Sequence, residues 1–141
     1  MAKNDLVLLD SIIDEYIQNK RPSENCGEVF EFFATEQILK NYAFSEQQIL
    51  SGSVDGRNDG GIDEFFVLVN GHLAEGIPEE FWPKSTCQAE VYIITCKHDD
   101  SFKRSPITTM IPSLLQLFDF SIATSELEGK YNADVLKKEI C

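Results

Sequence analysis

The sequence contains no hydrophobic run long enough to cross a bilayer, and no charged segment followed by an apolar stretch at its start. We therefore expect a cytoplasmic protein with neither a signal peptide nor a membrane partner. Its four cysteines occur without a CxxC motif or a Cys/His spacing. That pattern argues against both a zinc site and a disulfide framework. We expect all four cysteines, Cys141 included, to be reduced thiols.

Basic residues are also scarce, because twelve lysines and arginines stand against twenty-four acidic residues, for a net charge of -12. A protein that grips duplex DNA by neutralising many phosphates carries a basic face. Tight DNA binding by this chain alone is therefore not expected. A bound nucleic acid should enter near the basic residues between positions 97 and 104, or be held by a partner.

The chain does have enough apolar sequence for one core, with 141 residues of which 43% are hydrophobic. We expect a single α/β domain over residues 1–141, with a helical part, a core sheet and C-terminal helices. These parts are predicted at residues 1–50, 61–97 and 105–140. Apolar spacing, caps and turn residues place helices at 5–19, 27–41, 45–50, 105–121 and 127–140, and strands at 62–69, 72–77 and 89–97. Residues 23–25 are the capping candidates for the second of these helices.

Three details of this pattern matter for the fold. Asn70-Gly71 is the strongest hairpin signal in the chain. The strand at 89–97 is apolar on both faces, which is typical of a central strand covered on both sides. The helix at 27–41 is predicted to bury Val29, Phe30, Phe33 and Ile38, and the helix at 105–121 to bury Ile107, Ile111, Leu114, Leu115 and Phe118.

The candidate site lies where two strands begin and end. Asp63 opens one strand after a glycine-rich loop, and Lys97 closes another. Alternation puts Thr95 and Lys97 on one face and Cys96 on the other, so a suitable register would bring Asp63 beside Thr95 and Lys97. A carboxylate can hold a divalent metal and a lysine can contact a phosphate or a water. The pattern predicts a metal-dependent phosphodiesterase site, and a slip of one residue would turn Lys97 away.

The glycine-rich DGGID at residues 59–63, the hairpin and the strand ending in Lys97 resemble the PD-(D/E)XK nuclease superfamily. With VFE at residues 29–31, the chain is similar to the N-terminal, Mrr-type domain of abortive infection phage resistance (AIPR) proteins, over roughly residues 27–107. This resemblance implies a restriction-endonuclease-like fold, with a small mixed sheet flanked by helices. It also implies hydrolysis of DNA phosphodiesters with Mg²⁺ or Mn²⁺ in defence against phage.

The resemblance also implies a role for each matching residue. Asp63 matches the metal-binding aspartate, and Glu31 matches the helix glutamate that helps to hold the metal or its water. Lys97 matches the lysine that orients the attacking water and stabilises charge on the phosphate. Thr95 departs from the pattern, because the family has Glu, Asp or Gln two residues before the lysine. The backbone carbonyl of Cys96 is a further candidate ligand.

Several alternatives stay open at this point. The domain is either an active nuclease or a degenerate nuclease fold that lost catalysis through Thr95 and serves as a binding or assembly module. In a further alternative, a partner protein or a C-terminal region missing from this chain supplies DNA binding and regulation. DNA and RNA are both open as substrates. Two copies would be needed to cut both strands of a duplex with one site each, so a homodimer is a third partner to consider.

Overall fold

The computed structural model describes residues 3–98 and 103–140, without the side chains of residues 3, 139 and 140. The described residues form two compact units. One, the helical unit, contains residues 3–50, 96–98, 103 and 104. The other, the sheet unit, contains residues 51–95 and 105–140.

Three α-helices form the helical unit: α1 (Lys3–Gln18), α2 (Cys26–Ile38) and α3 (Glu46–Leu50). Contacts join α2 to each of the other two. The N-terminal cap predicted before α2 is confirmed, since Asn25 Oδ1 accepts a hydrogen bond from Gly27 N at 2.9 Å. The three predicted helices of this part therefore exist, with ends shifted by one to three residues.

The buried face of α2 differs from the predicted one. The structure buries Val29, Phe32 and Thr35. Phe30 and Phe33 are only half-buried, and Ile38 is exposed. Val29 is buried as predicted, but the other three residues of the predicted stripe are not, because apolar residues lie on several faces of this helix and compete for the core.

Arg21 links the three helices of this unit. Its guanidinium pairs with Glu36 at 2.9 Å and with Glu46 at 3.1 Å. It also lies over the rings of Tyr16 and Phe32, at 5.4 and 5.3 Å from their centroids. Tyr16 in turn donates its hydroxyl to Glu36 at 2.6 Å.

The sheet unit contains β1 (Glu64–Val69), β2 (His72–Leu73) and β3 (Ala89–Ile94). Their order is β2-β1-β3, and both pairs are antiparallel. The predicted mixed sheet is therefore wrong for the described residues, since the sheet there is wholly antiparallel. β1 is its central strand, and β3, which was predicted to be central, pairs there with β1 alone.

The hairpin predicted at Asn70-Gly71 is confirmed. Asn70 has φ 51° and Gly71 has φ 81°, as a two-residue turn with both central residues left-handed requires. The return strand is shorter than predicted, because the chain turns into a 3-10 helix at Ala74–Gly76 directly after β2.

Three helices complete the sheet unit: α4 (Ser105–Leu117), α5 (Thr124–Leu127) and α6 (Ala133–Ile140). A core cluster of this unit consists of Val54, Ile62, Phe65, Leu117, Leu127, Tyr131, Val135 and Leu136. From α4, only Ser113 and Leu117 are buried.

The predicted buried stripe of α4 was wrong. Ile107, Ile111, Leu115 and Phe118 are all exposed, and Leu114 is half-buried. α4 therefore presents much of its large apolar surface to solvent and packs inward through Ser113 and Leu117, with Met110 and Leu114 partly buried against the core.

The six α-helices and the antiparallel sheet confirm the predicted α/β class. Among the described residues, none of the helices combines the length and the apolar character needed to cross a membrane. Among the described residues, Cys26, Cys87 and Cys96 are not joined in disulfides. Cys141 lies outside the described residues.

Candidate functional site

The loop before β1 is ordered by the side chain of Asp59. Its Oδ1 accepts a hydrogen bond from Gly61 N at 2.7 Å, and its Oδ2 accepts one from Gly56 N at 3.2 Å. These bonds close an Asx turn around the two glycines of the DGGID sequence. The first aspartate of that sequence therefore shapes the loop.

The two glycines of the loop allow it to approach α4 closely. Gly60 has φ 73° and Gly61 has φ 81°, a left-handed conformation that favours glycine. A Cβ on Gly60 would lie 2.7 Å from Ser113 Oγ and 2.8 Å from the Tyr131 ring. Ser113 Oγ also donates a hydrogen bond to the carbonyl of Gly60 at 2.8 Å. The loop is thus fixed against α4, and the start of β1 is fixed with it.

Asp63 follows this loop and is held by its backbone on both sides. Its N–H donates to the carbonyl of Ile94 at 3.0 Å, and its carbonyl accepts from Val54 N at 3.0 Å. The residue is 6% exposed. Its carboxylate is therefore presented from a backbone that the neighbouring segments hold in place.

The strand register brings Thr95 beside Asp63. Glu64 pairs with Ile94 and Phe65 with Ile93, so one step further along the same antiparallel pair Asp63 faces Thr95. Thr95 Oγ1 donates a hydrogen bond to Asp63 Oδ2 at 3.2 Å. The shared face predicted for these two residues is confirmed.

The other residues expected at the site belong to the helical unit. Glu31 is half-buried on α2, Cys96 is buried, and Lys97 is exposed. β3 ends at Ile94, so the predicted strand was too long and strand alternation does not carry on to Lys97. Asp63 and Thr95 are the pair of predicted site residues whose contact is shown.

His98, which follows Lys97, anchors the segment after β3 within the helical unit. Its Nε2 lies 3.0 Å from Asp10 Oδ1 on α1. Its ring packs edge-on against Phe30 of α2, with 5.0 Å between centroids. No local pattern signals contacts with partners so distant in the chain.

The donor atoms of the sheet unit can be compared with what magnesium requires. Mg²⁺ in proteins is held through one or two carboxylates, with water and substrate phosphates as further ligands. Asp63 supplies one carboxylate, and Thr95 supplies a neutral hydroxyl. In the described part of the chain, no group of three or more His, Cys, Asp or Glu side chains is placed to hold a metal. Asp63 therefore fits a site with a single protein carboxylate, completed by water and substrate.

Comparisons with protein-family models, with curated proteins and with solved structures give no match for this chain. These comparisons therefore assign no function to the chain.

Proposed function

We propose that this protein is a nuclease domain that hydrolyses the phosphodiester bonds of nucleic acids with Mg²⁺ or Mn²⁺. DNA is the first candidate substrate. The fold of the domain would be restriction-endonuclease-like, and its role would be cytoplasmic defence against phage. The observation that carries the proposal is the contact between Asp63 and Thr95 at adjoining ends of β1 and β3.

A buried carboxylate at a strand end supports this proposal. Removing a carboxylate from water costs free energy unless hydrogen bonds or a cation compensate for the loss. The Thr95 hydroxyl compensates in part and also fixes the direction of Oδ2, while adding no charge of its own. Asp63 is therefore oriented before any ligand arrives, as a metal-binding carboxylate should be.

In the proposed site, Asp63 binds the metal directly. A bound Mg²⁺ would neutralise charge on the scissile phosphate and activate a water molecule. The roles of Glu31 and of the Cys96 carbonyl as further ligands rest on the family resemblance. The same holds for Lys97, which would orient the attacking water and stabilise charge on the phosphate.

Calorimetric titration of the whole chain with Mg²⁺, and separately with Mn²⁺, tests the metal site without requiring activity. The wild-type chain should bind, and Asp63→Asn should lose binding because it removes the charge and keeps the shape. Asp55→Asn, at an exposed aspartate of the same unit, is the matched control and should bind as wild type does. A wild-type chain that binds neither ion would overturn the proposal.

A second candidate function is a nuclease-like domain that no longer cuts and acts in binding or assembly. Thr95 favours it, because a hydroxyl stands where the resemblance expects an acid and contacts the remaining aspartate. Losing one carboxylate weakens attraction for a hard dication.

The variant Thr95→Glu separates the two functions by restoring that acid. If the wild-type chain is degenerate, it should not bind Mg²⁺, whereas Thr95→Glu should bind it. Thr95→Met has a side chain of similar length without an oxygen ligand, and it serves as the control. Metal binding by the wild-type chain that is lost in Asp63→Asn would reject the degenerate function.

A further inference from the structure

The outward surface of α4 is unusually apolar. Exposed Ile107, Ile111 and Leu115 follow each other at four-residue steps, so they form one stripe along the helix. Phe118 and Phe120 extend this surface beyond the end of the helix. Leu115 is 72% exposed and Phe120 is 85% exposed. We name these five residues the α4 face.

The α4 face is not needed to hold α4 in the sheet unit. The opposite side of the helix does that, through Leu117 in the core and through Ser113, which donates to the loop carbonyl of Gly60. Of the α4 face, Phe118 also reaches the core, since its ring centroid lies 6.3 Å from that of the buried Phe65. Ile107, Ile111, Leu115 and Phe120 are not members of the core cluster. Surfaces of this kind on otherwise charged proteins mark sites of association.

The α4 face contains both a groove and a residue that could fill it. The groove has a volume of about 550 Å³ and is lined by Ile111, Leu114, Leu115, Phe118 and Asp119. Phe120 follows this lining directly in the chain and is almost fully exposed. A surface that carries both a knob and a hole can pair with itself about a two-fold axis, because each copy then fills the groove of the other.

Charge also favours a second copy as the occupant. The chain carries a net charge of -12, so two copies repel each other over most of their surface. The sequence of α4, SPITTMIPSLLQL, contains no charged residue, and two copies can approach there without that repulsion. The net charge of -12 also disfavours an anionic membrane or a nucleic acid as the occupant.

Among the described residues that line the groove, Asp119 is the one that carries a charge. Its Oδ1 accepts hydrogen bonds from Ser121 Oγ at 2.5 Å and from Ser121 N at 3.1 Å. These bonds lower the pKa of the Asp119 carboxyl. They also direct its carboxylate toward the backbone of residues 119–121. Asp119 therefore suits the polar rim of an interface.

We propose that the α4 face is a homodimer interface, in which Phe120 of each copy enters the groove of the other. By ordinary side-chain areas, the exposed fractions amount to roughly 500 Å² of apolar surface per copy. A pair would bury about 1,000 Å² in total, which is the lower limit for a specific interface. The dimer should therefore form at micromolar rather than nanomolar concentration. This proposal does not depend on the proposed nuclease function.

Sedimentation velocity over about 1 µM to 1 mM of the full chain tests the dimer. The wild-type mass should rise with concentration from 16.0 kDa to twice that value. Leu115→Glu and Phe120→Glu should each weaken dimerisation by at least about 30-fold, as loss of a central contact does. Both positions are exposed, so the variants should keep the circular dichroism spectrum and melting temperature of the wild type.

Leu8→Glu is the matched control, since Leu8 is a helical leucine that is 65% exposed on α1. It introduces the same charge and should dimerise as the wild type does. A wild-type chain that stays monomeric throughout, or that forms assemblies larger than a dimer, would overturn the proposal. So would a dimer that survives both α4 substitutions, or one that Leu8→Glu also abolishes.

Discussion

Thr95 Oγ1 and Asp63 Oδ2 lie 3.2 Å apart across the antiparallel pair of β1 and β3. The contact joins the end of one strand to the start of the other, at the point where the chain leaves the sheet unit. Because it orients a buried carboxylate, it links the stability of the sheet to the chemistry proposed for it.

Thr95→Val should destabilise the protein by about 1–2 kcal/mol, since it leaves a buried carboxylate oxygen without its hydroxyl donor. Urea unfolding followed by circular dichroism measures this change. Thr95→Ser keeps the hydroxyl and should cost less than half as much. Thr86→Val, at an exposed position of the same unit, should leave the unfolding free energy nearly unchanged. Equal effects at positions 95 and 86 would contradict a structural role for the hydrogen bond.

The glycine of the loop before β1 gives a second prediction. Gly60→Ala should cost about 2–4 kcal/mol, because the new Cβ meets Ser113 and Tyr131 in a left-handed backbone. Gly129 has φ 81° with nothing near its Cβ, so Gly129→Ala should cost only about 1 kcal/mol. Gly76→Ala meets neither obstacle and should stay within about 0.5 kcal/mol.

The order of these three costs is the test, and urea unfolding measures it. If Gly60→Ala and Gly129→Ala were equally destabilised, the close approach of the loop to α4 would contribute nothing. The fixed position of Asp63 would then need another explanation.

Lys138 supplies a third prediction, because this lysine is only 6% exposed. Its Nζ lies 2.8 Å from Glu75 Oε1 and donates to the carbonyl of Ser51 at 2.8 Å. Lys138→Met keeps the length and removes the charge, and it should destabilise the protein by about 2–4 kcal/mol because the contacts of the buried ammonium with Glu75 and with the Ser51 carbonyl are lost. Lys130→Met, at an exposed lysine, is the control.

A double variant shows whether the ion pair is the cause. In the Glu75→Gln background, Lys138→Met should destabilise the protein clearly less than it does in the wild type, because the Glu75 carboxylate that would lose its counter-charge is no longer present. Strictly additive effects would contradict coupling between the two side chains.

Tyr16 makes stability depend on pH. Burial raises the pKa of the Tyr16 hydroxyl above its ordinary value of 10.0, and the hydrogen bond to Glu36 raises it further. A raised pKa means that the folded state favours the protonated form, so this stabilisation is complete below pH 10 and is lost as the pH rises above it. Wild type should therefore exceed Tyr16→Phe in stability at pH 8, and the difference should shrink above pH 10. A difference that is constant between pH 8 and pH 11 in urea unfolding would contradict this account.

Short sequence patterns correctly predicted features that depend on neighbouring residues. Asn70-Gly71 predicted its hairpin because both residues tolerate the left-handed conformation that the turn requires. The shared face of Asp63 and Thr95 followed from strand alternation. The Asn25 cap followed from the preference of short polar side chains for the first N–H groups of a helix.

The face of α4 could not be predicted in this way. Its large apolar residues suggested a buried stripe, yet the side that packs inward carries Ser113, because the loop at Gly60 approaches too closely for a larger side chain. That requirement comes from a contact more than fifty residues away in the chain. Apolar spacing reports that a helix is amphipathic, but it does not tell a core from an interface.

The sheet was also mispredicted, for a reason of connectivity. A parallel pairing needs a crossover of a dozen or more residues, usually through a helix. The segment between β1 and β3 contains only the hairpin with β2 and short 3-10 turns, so the strands pair antiparallel. The apolar sequence of β3 does not reflect cover on both faces, since Val91 is exposed.

Metal-dependent cleavage of supercoiled plasmid DNA tests the central claim most directly. Wild type, Asp63→Asn, Lys97→Ala and Asp55→Asn would be compared with Mg²⁺, with Mn²⁺ and with excess chelator. Wild type and Asp55→Asn should nick the plasmid only with added metal. Asp63→Asn should be inactive, and Lys97→Ala should lose at least about a hundredfold in rate. Cleavage that persists in Asp63→Asn, or no cleavage by wild type with either metal, would contradict the claim.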